Sequence, residues 1–193
     1  MMFFDCVRLS DRPCGLPSKA ADSVWHVWAS MAPEHLESFC RRHFGRTIPH
    51  IESAAMAGSM DEALANCLVA ARTLDKLPVA GANVPRLFTL DRRLAMPNGF
   101  AYTLERGYVA LRSMTWQGAP KGALTYLAGL APAGLLAAGL VSQSDHDAHT
   151  RKALASSTGC GSGGGCSSSD SSSGDGGSCG SSCGSGCGGG CGS

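Results

Sequence analysis

Apolar residues recur at helical spacing through much of the first hundred positions, and the residues between them punctuate the chain. Ala21, Val24, Trp25, Trp28 and Met31 follow a 3.6-residue period behind Ser18, a good N-cap, which predicts a helix over 19–31. Pro33 suits the first turn of a second helix, and Glu34 favours the positive end of its dipole. Leu36, Phe39, Cys40 and His43 share one face of it, and Gly45 can take the left-handed conformation that ends it. The short link between the two helices predicts an antiparallel hairpin. Ser59-Met-Asp-Glu62 reads as a capping box, opening a helix over 60–75 that Leu77-Pro78 stops. Pro85 can open a fourth, with Leu87, Phe88, Leu90, Leu94 and Met96 on a broad apolar face before the turn Pro97-Asn98-Gly99.

Two stretches fit the pattern less cleanly. Pro13, Gly15 and Pro17 make residues 1–17 an irregular lead-in. Tyr102, Leu104, Tyr108, Val109 and Leu111 match neither period, and the segment 100–114 is read as helix. The expectation is a mostly α fold: a small helical domain over 18–115 with four to five helices around one core.

Gly122–Val141 is a run of 20 uncharged residues with six Leu, six Ala, four Gly and Pro132. A helix of that length spans about 30 Å, the thickness of a bilayer core. Two readings stand: a single transmembrane helix, and a buried hairpin broken at Pro132. The lack of any polar stripe favours the span. Arg106, Arg112 and Lys121 on its N-terminal side favour the preceding domain on the inside. Residues 142–155 read as a linker; its Asp145-His146-Asp147-Ala148-His149 is a solvated stretch before it is a metal patch.

Composition changes the picture most at the end. Residues 156–193 hold only Gly, Ser, Cys, Asp and one Thr. No large apolar side chain is present to offset roughly 1–2 kcal/mol of backbone entropy per residue, so this tail is expected to be disordered. Its thiols are Cys160, Cys166, Cys179, Cys183, Cys187 and Cys191, the last four recurring at every fourth position. That spacing is not a zinc-ribbon spacing. It suits a flexible thiolate binder for Zn or Cu(I), a disulfide-linked tail in an oxidising compartment, or a plain solubilising extension. Without the tail, 16 basic and 13 acidic residues remain, a balance too mild for a nucleic-acid partner. The N-terminus has no basic segment followed by a long apolar run, so no cleaved signal peptide is expected. The N-terminal domain is expected in the cytoplasm with Cys6, Cys14, Cys40 and Cys67 reduced.

One set of side chains can carry chemistry. Asp22 and His26 are four apart and share a helix face. Cys40 sits on the second helix, and the loop ending at His50 can fold back to add a second imidazole. Thiolate, two imidazoles and a carboxylate make a closed tetrahedral zinc set. Alternatively Asp22 orients His26 and leaves the metal an open position. Against both stands the plain reading, in which Cys40 is a small core residue and His26 is structural. His35 and His43 belong to the surface or boundary of the second helix.

The order Asp22-Ser23-Val24-Trp25-His26, Phe39-Cys40, Phe44-Gly45-Arg46 and Ile48-Pro49-His50 resembles the glycine-rich domain-containing proteins of plants and their shorter bacterial forms, which often end in Gly/Cys-rich tails. The likeness covers roughly residues 20–52, with a looser echo at Leu87-Phe88-Thr89-Leu90-Asp91. It departs at Leu36, where an aromatic is expected, and at Met31-Ala32-Pro33. The resemblance implies that Asp22, Trp25, His26, Cys40 and His50 belong to one signature; it supplies no activity. The leading expectation is therefore a non-enzymatic accessory protein with a metal-binding helical domain, membrane-attached if the apolar run spans. One alternative is an interaction module whose Trp25/Trp28 face docks an unidentified protein partner. The other is a thiol enzyme with Cys40 as nucleophile and His26 as its base.

Overall fold

Phe3, Phe4 and Cys6 are buried on one side of helix α1 (Met2–Leu9), inside the segment expected to be irregular. Eight residues cannot hold a helix alone in water. Packing does it here: the rings of Phe3 and Phe4 lie 5.4 and 5.3 Å from the ring of Trp25. Burying each ring stabilises the fold by about 1.5–3 kcal/mol. The expected lead-in is thus corrected over its first half, because the Pro and Gly signals begin only at Pro13. The computed structural model describes residues 2–50, 59–81 and 83–157. The tail expectations, with all six tail cysteines, fall outside them.

Helices α2 (Lys19–Met31) and α3 (Pro33–Phe44) follow the predicted bounds. Ser18 caps α2 by accepting from the Ala21 amide, Pro33 opens α3, and Gly45 closes α3 at φ 69°. Helix α4 (Met60–Leu74) is capped by Ser59, which accepts from the Glu62 amide. It is buried from Ala63 to Leu68 without a break, so it is the central element of the core. Its many alanines let backbone approach closely: the Gly15 amide donates to the Ala63 carbonyl at 2.8 Å. Arg72 is fully buried on α4 and donates to the carbonyls of Asn83 and Val79, which staples the following loop. Burial pulls its guanidinium down to about 10.

The mostly α expectation fails after Pro85. The fourth helix is only the single turn α5 (Leu90–Arg93), preceded by tight turns from Pro85. Residues 100–114 are not helical. They form strands β1 (Phe100–Glu105) and β2 (Tyr108–Met114), and β3 (Pro120–Tyr126) adds a third antiparallel strand in the order β1-β2-β3. Arg106 and Gly107 join β1 to β2, with φ 51° and 84°. Two left-handed residues make the two-residue hairpin turn whose twist matches paired strands. Ala101, Tyr102, Val109, Ala110 and Met114 are buried along the first two strands.

The apolar run is not a membrane helix. It divides into β3, a 3-10 turn over Ala128–Leu130 and helix α6 (Pro132–Ala137). The strand up to Tyr126 and the extended backbone at Leu127 and Ala131 interrupt any continuous helix, and Leu130 and Leu135 are fully buried in the core. Among the described residues no helix is long and apolar enough to cross a membrane. The expected linker is also corrected: Gln143–Ser157 form helix α7. Ser142 starts it, its hydroxyl accepting from the Asp145 amide at 3.1 Å and donating to the Asp145 carboxylate.

Candidate functional site

The site is built on the first two turns of α2, and a buried carboxylate fixes where those turns lie. Asp91, on α5, is 1% exposed. It accepts from the Ser18 hydroxyl at 2.6 Å, the Lys19 amide at 3.0 Å, the Ala20 amide at 3.0 Å and the Phe100 amide at 2.9 Å. A negative charge at the start of α2 meets unpaired helical N–H groups, which favours it electrostatically. The same carboxylate ties α2 to the first residue of β1. Gly99 is required beside it, since a Cβ there would come within 2.9 Å of Asp91 Oδ2.

One turn further on, Asp22 and His26 point the same way, as their spacing predicts. Asp22 Oδ2 lies 3.4 Å from His26 Nε2. His50 arrives from the other side. After Gly45 the chain turns back, Arg46 donates to the carbonyl of Val7 on α1, and His50 Nε2 donates to Asp22 Oδ1 at 2.8 Å. A carboxylate only accepts, so the Nε2 proton sits on the ring. The His50 ring is wedged against Trp25 at 4.6 Å, edge-on, and against His26 at 4.1 Å. Trp25 is in turn held by Phe3 and Phe4. The aromatic packing of α1 therefore braces the imidazole.

Asp22, His26 and His50 each offer one ligand atom, and these atoms all lie within 4.8 Å of one another. Their side chains are 40%, 52% and 18% exposed, so the group is open to solvent. It lines a cavity of about 690 Å³, whose wall also carries Lys19, Arg46 and Cys14. Two imidazoles and a carboxylate are the ligand types of open zinc sites and of non-haem iron sites. Metal binding through His50 Nε2 requires that the proton it donates to Asp22 leave that nitrogen.

Cys40 does not join them. It is 1% exposed, buried beside Leu36 on the core face of α3, and is not in the group that gathers Asp22, His26 and His50. The fourfold closed set is thus reduced to three open ligands. The Cys40–His26 pair needed for a thiol enzyme is absent from that group as well. His35 and His43 are exposed, in line with their surface reading. Trp25 is buried and Trp28 half-buried, while α2 turns Val24, Val27 and Met31 outward.

Asp91 was beyond sequence reasoning in its role, although a signal existed. It is the one acid in the Leu87–Leu94 stretch, whose other residues are four apolar ones, Thr89 and the adjacent arginines, and a buried carboxylate needs donors. The fold and site together define a helical domain with a small antiparallel sheet and an open His/His/Asp group. The model of the UCP032817-like family matches residues 2–119, and the chain belongs to that family. The match contains α1 to β2, and so the whole group and its Asp91 support. No curated protein and no solved structure matched the chain.

Proposed function

We propose that this protein binds a divalent transition metal, zinc first among them, through Asp22, His26 and His50. The observation that carries the reading is the convergence of three ligand atoms, from two separate segments, within 4.8 Å on the wall of a large cavity. Chance exposed acids do not bring along two imidazoles, one of them wedged against a buried tryptophan. Three protein ligands leave coordination positions for water or a bound molecule, so the metal faces the cavity. The likeness to the glycine-rich domain-containing proteins groups the same Asp22, His26 and His50 and supports the reading; Cys40 of that signature serves the core. The role is metal handling or metal-assisted binding in the cavity, with the tail thiols as a separate soft-metal reservoir.

The test compares zinc content of the full chain with that of the His26→Ala/His50→Ala double variant after equal zinc loading and desalting. The tail thiols are common to both, so the difference isolates this site. The expected difference is one zinc per chain. Equal content in the two proteins rejects the proposal.

A further inference from the structure

Three of the four described cysteines, Cys6, Cys14 and Cys67, meet where α1 and the segment after it pack on α4. Cys6 on α1 and Cys67 on α4 are completely buried. Cys14 sits in the segment between α1 and α2 and is half-buried on the cavity wall. Its place is fixed by both neighbours. The Pro13 carbonyl accepts from Asn66 Nδ2 at 2.8 Å, and the Gly15 amide donates to the Ala63 carbonyl at 2.8 Å. Cys14 is thereby clamped against the turn of α4 that carries Cys67, next in sequence to Asn66. Gly15 serves the same approach: a Cβ there would press on the backbone of Ala63 and Leu64 at 3.3 and 3.2 Å.

We propose that Cys14 is a hydroperoxide-reactive modification site and that Cys67 resolves it to a Cys14–Cys67 disulfide. The chemistry of the two thiols is already divided. Cys14 is held below the ordinary thiol range, first by a hydrogen bond from Cys67 and then by Ser10, against the opposing effect of burial. Cys67 is pushed well above it by donating to Cys14 and by its contact with Cys6 and its burial. The half-buried Cys14 therefore ionises more readily than the buried Cys67.

The oxidant is hydrogen peroxide or a small organic hydroperoxide admitted by the cavity. The Cys14 thiolate attacks the terminal peroxide oxygen. An S–O bond forms, the O–O bond breaks, and the leaving hydroxide or alkoxide takes a proton to become water or alcohol. Sulfur loses two electrons and the peroxide gains them, which leaves Cys14 as a sulfenic acid. The Cys67 sulfur then attacks the Cys14 sulfur. The S–S bond forms, the S–O bond breaks, and hydroxide departs with the Cys67 proton as water. An external dithiol reverses the product. This inference does not depend on the metal reading, although both groups line one cavity.

Trypsin separates the participants, because Cys6, Cys14, Cys40 and Cys67 fall in the different peptides 1–8, 9–19, 20–41 and 47–72, Arg12-Pro13 resisting cleavage. The reduced full chain is treated with one equivalent of hydrogen peroxide, alkylated and mapped by mass spectrometry. The expected product is peptide 9–19 joined to peptide 47–72 with loss of two hydrogens. In Cys67→Ala the linkage disappears and dimedone labels Cys14 instead. In Cys14→Ser neither Cys6 nor Cys67 reacts. Should Cys67→Ala fail to fold, the wild-type map alone decides. Cys14 left as a free thiol while tail cysteines oxidise, Cys14 joined to tail cysteines without preference for Cys67, or a Cys6–Cys67 bond in its place each overturns the proposal.

Discussion

Asp91 and Asp22 both approach the first turns of α2, and their surroundings differ at every point. Asp91 is buried and has its oxygens filled by one hydroxyl and three backbone amides. Asp22 is half-exposed and holds only two imidazoles, both of which are themselves metal-ligand types. A carboxylate whose lone pairs are saturated by the backbone is a structural hub with nothing left to offer a ligand. A carboxylate that shares exchangeable protons at the edge of a cavity retains its capacity to coordinate. The pair teaches that burial and the kind of donor, more than the presence of an acid, separate support from chemistry. The two are coupled, since Asp91 sets the position of the helix that presents Asp22.

The sharpest way to break that comparison is Asp91→Ala. It strands the Ser18 hydroxyl and three amides, and the expected loss is about 3–5 kcal/mol of stability, read from chemical unfolding. A loss under about 1 kcal/mol would show that Asp91 is no hub. Gly99→Ala attacks the same point sterically, because the added methyl meets Asp91 Oδ2 and Met96 O. A destabilisation of about 1–3 kcal/mol is expected from this overpacking, with the unfolding midpoint as readout. Ser18→Ala removes both the α2 cap and one of the four Asp91 partners, and about 1–2 kcal/mol should be lost. Asp22→Ala lies at the small end: stability changes by less than about 1 kcal/mol, as for exposed ion pairs. Zinc affinity, in contrast, should fall roughly tenfold or more in competition with a chromophoric chelator. A large stability loss with unchanged affinity would reverse the assignment of the two acids.

The legible parts of this molecule are those where local rules act alone. Helices α2, α3 and α4 stand where Ser18, Pro33, Gly45 and Ser59 place their ends, because caps and the 3.6-residue period are properties of the segment itself. The Asp22–His26 pair follows from the same period, and His50 from a loop able to return to it. Helix α1 was hidden because its stability comes from Trp25, far along the chain. The strands were hidden by mixed burial, with small Ala101 and Ala110 as core residues, a register irregularity between Leu111 and Ser113, and an Arg106-Gly107 turn without the usual Asn-Gly signature. Uncharged composition does not distinguish a membrane helix from a strand, a 3-10 turn and a short helix; the extended backbone at Leu127 and Ala131 divides the run. Spacing along the hairpin brings Cys40 within range of the ligands. Its spacing from Leu36, four residues earlier, assigns it to the core-facing side instead.

The central claim is that the imidazoles and the carboxylate, not thiols, take up metal in the folded domain. Cobalt(II) titration of the full chain tests it most directly, after accessible thiols have been alkylated so that the tail is silenced. One bound cobalt per chain is expected, with visible ligand-field bands, no sulfur-to-cobalt charge transfer, and loss of those bands in His50→Ala. An alkylated protein that takes up no cobalt, or a spectrum that His50→Ala leaves unaltered, would contradict it.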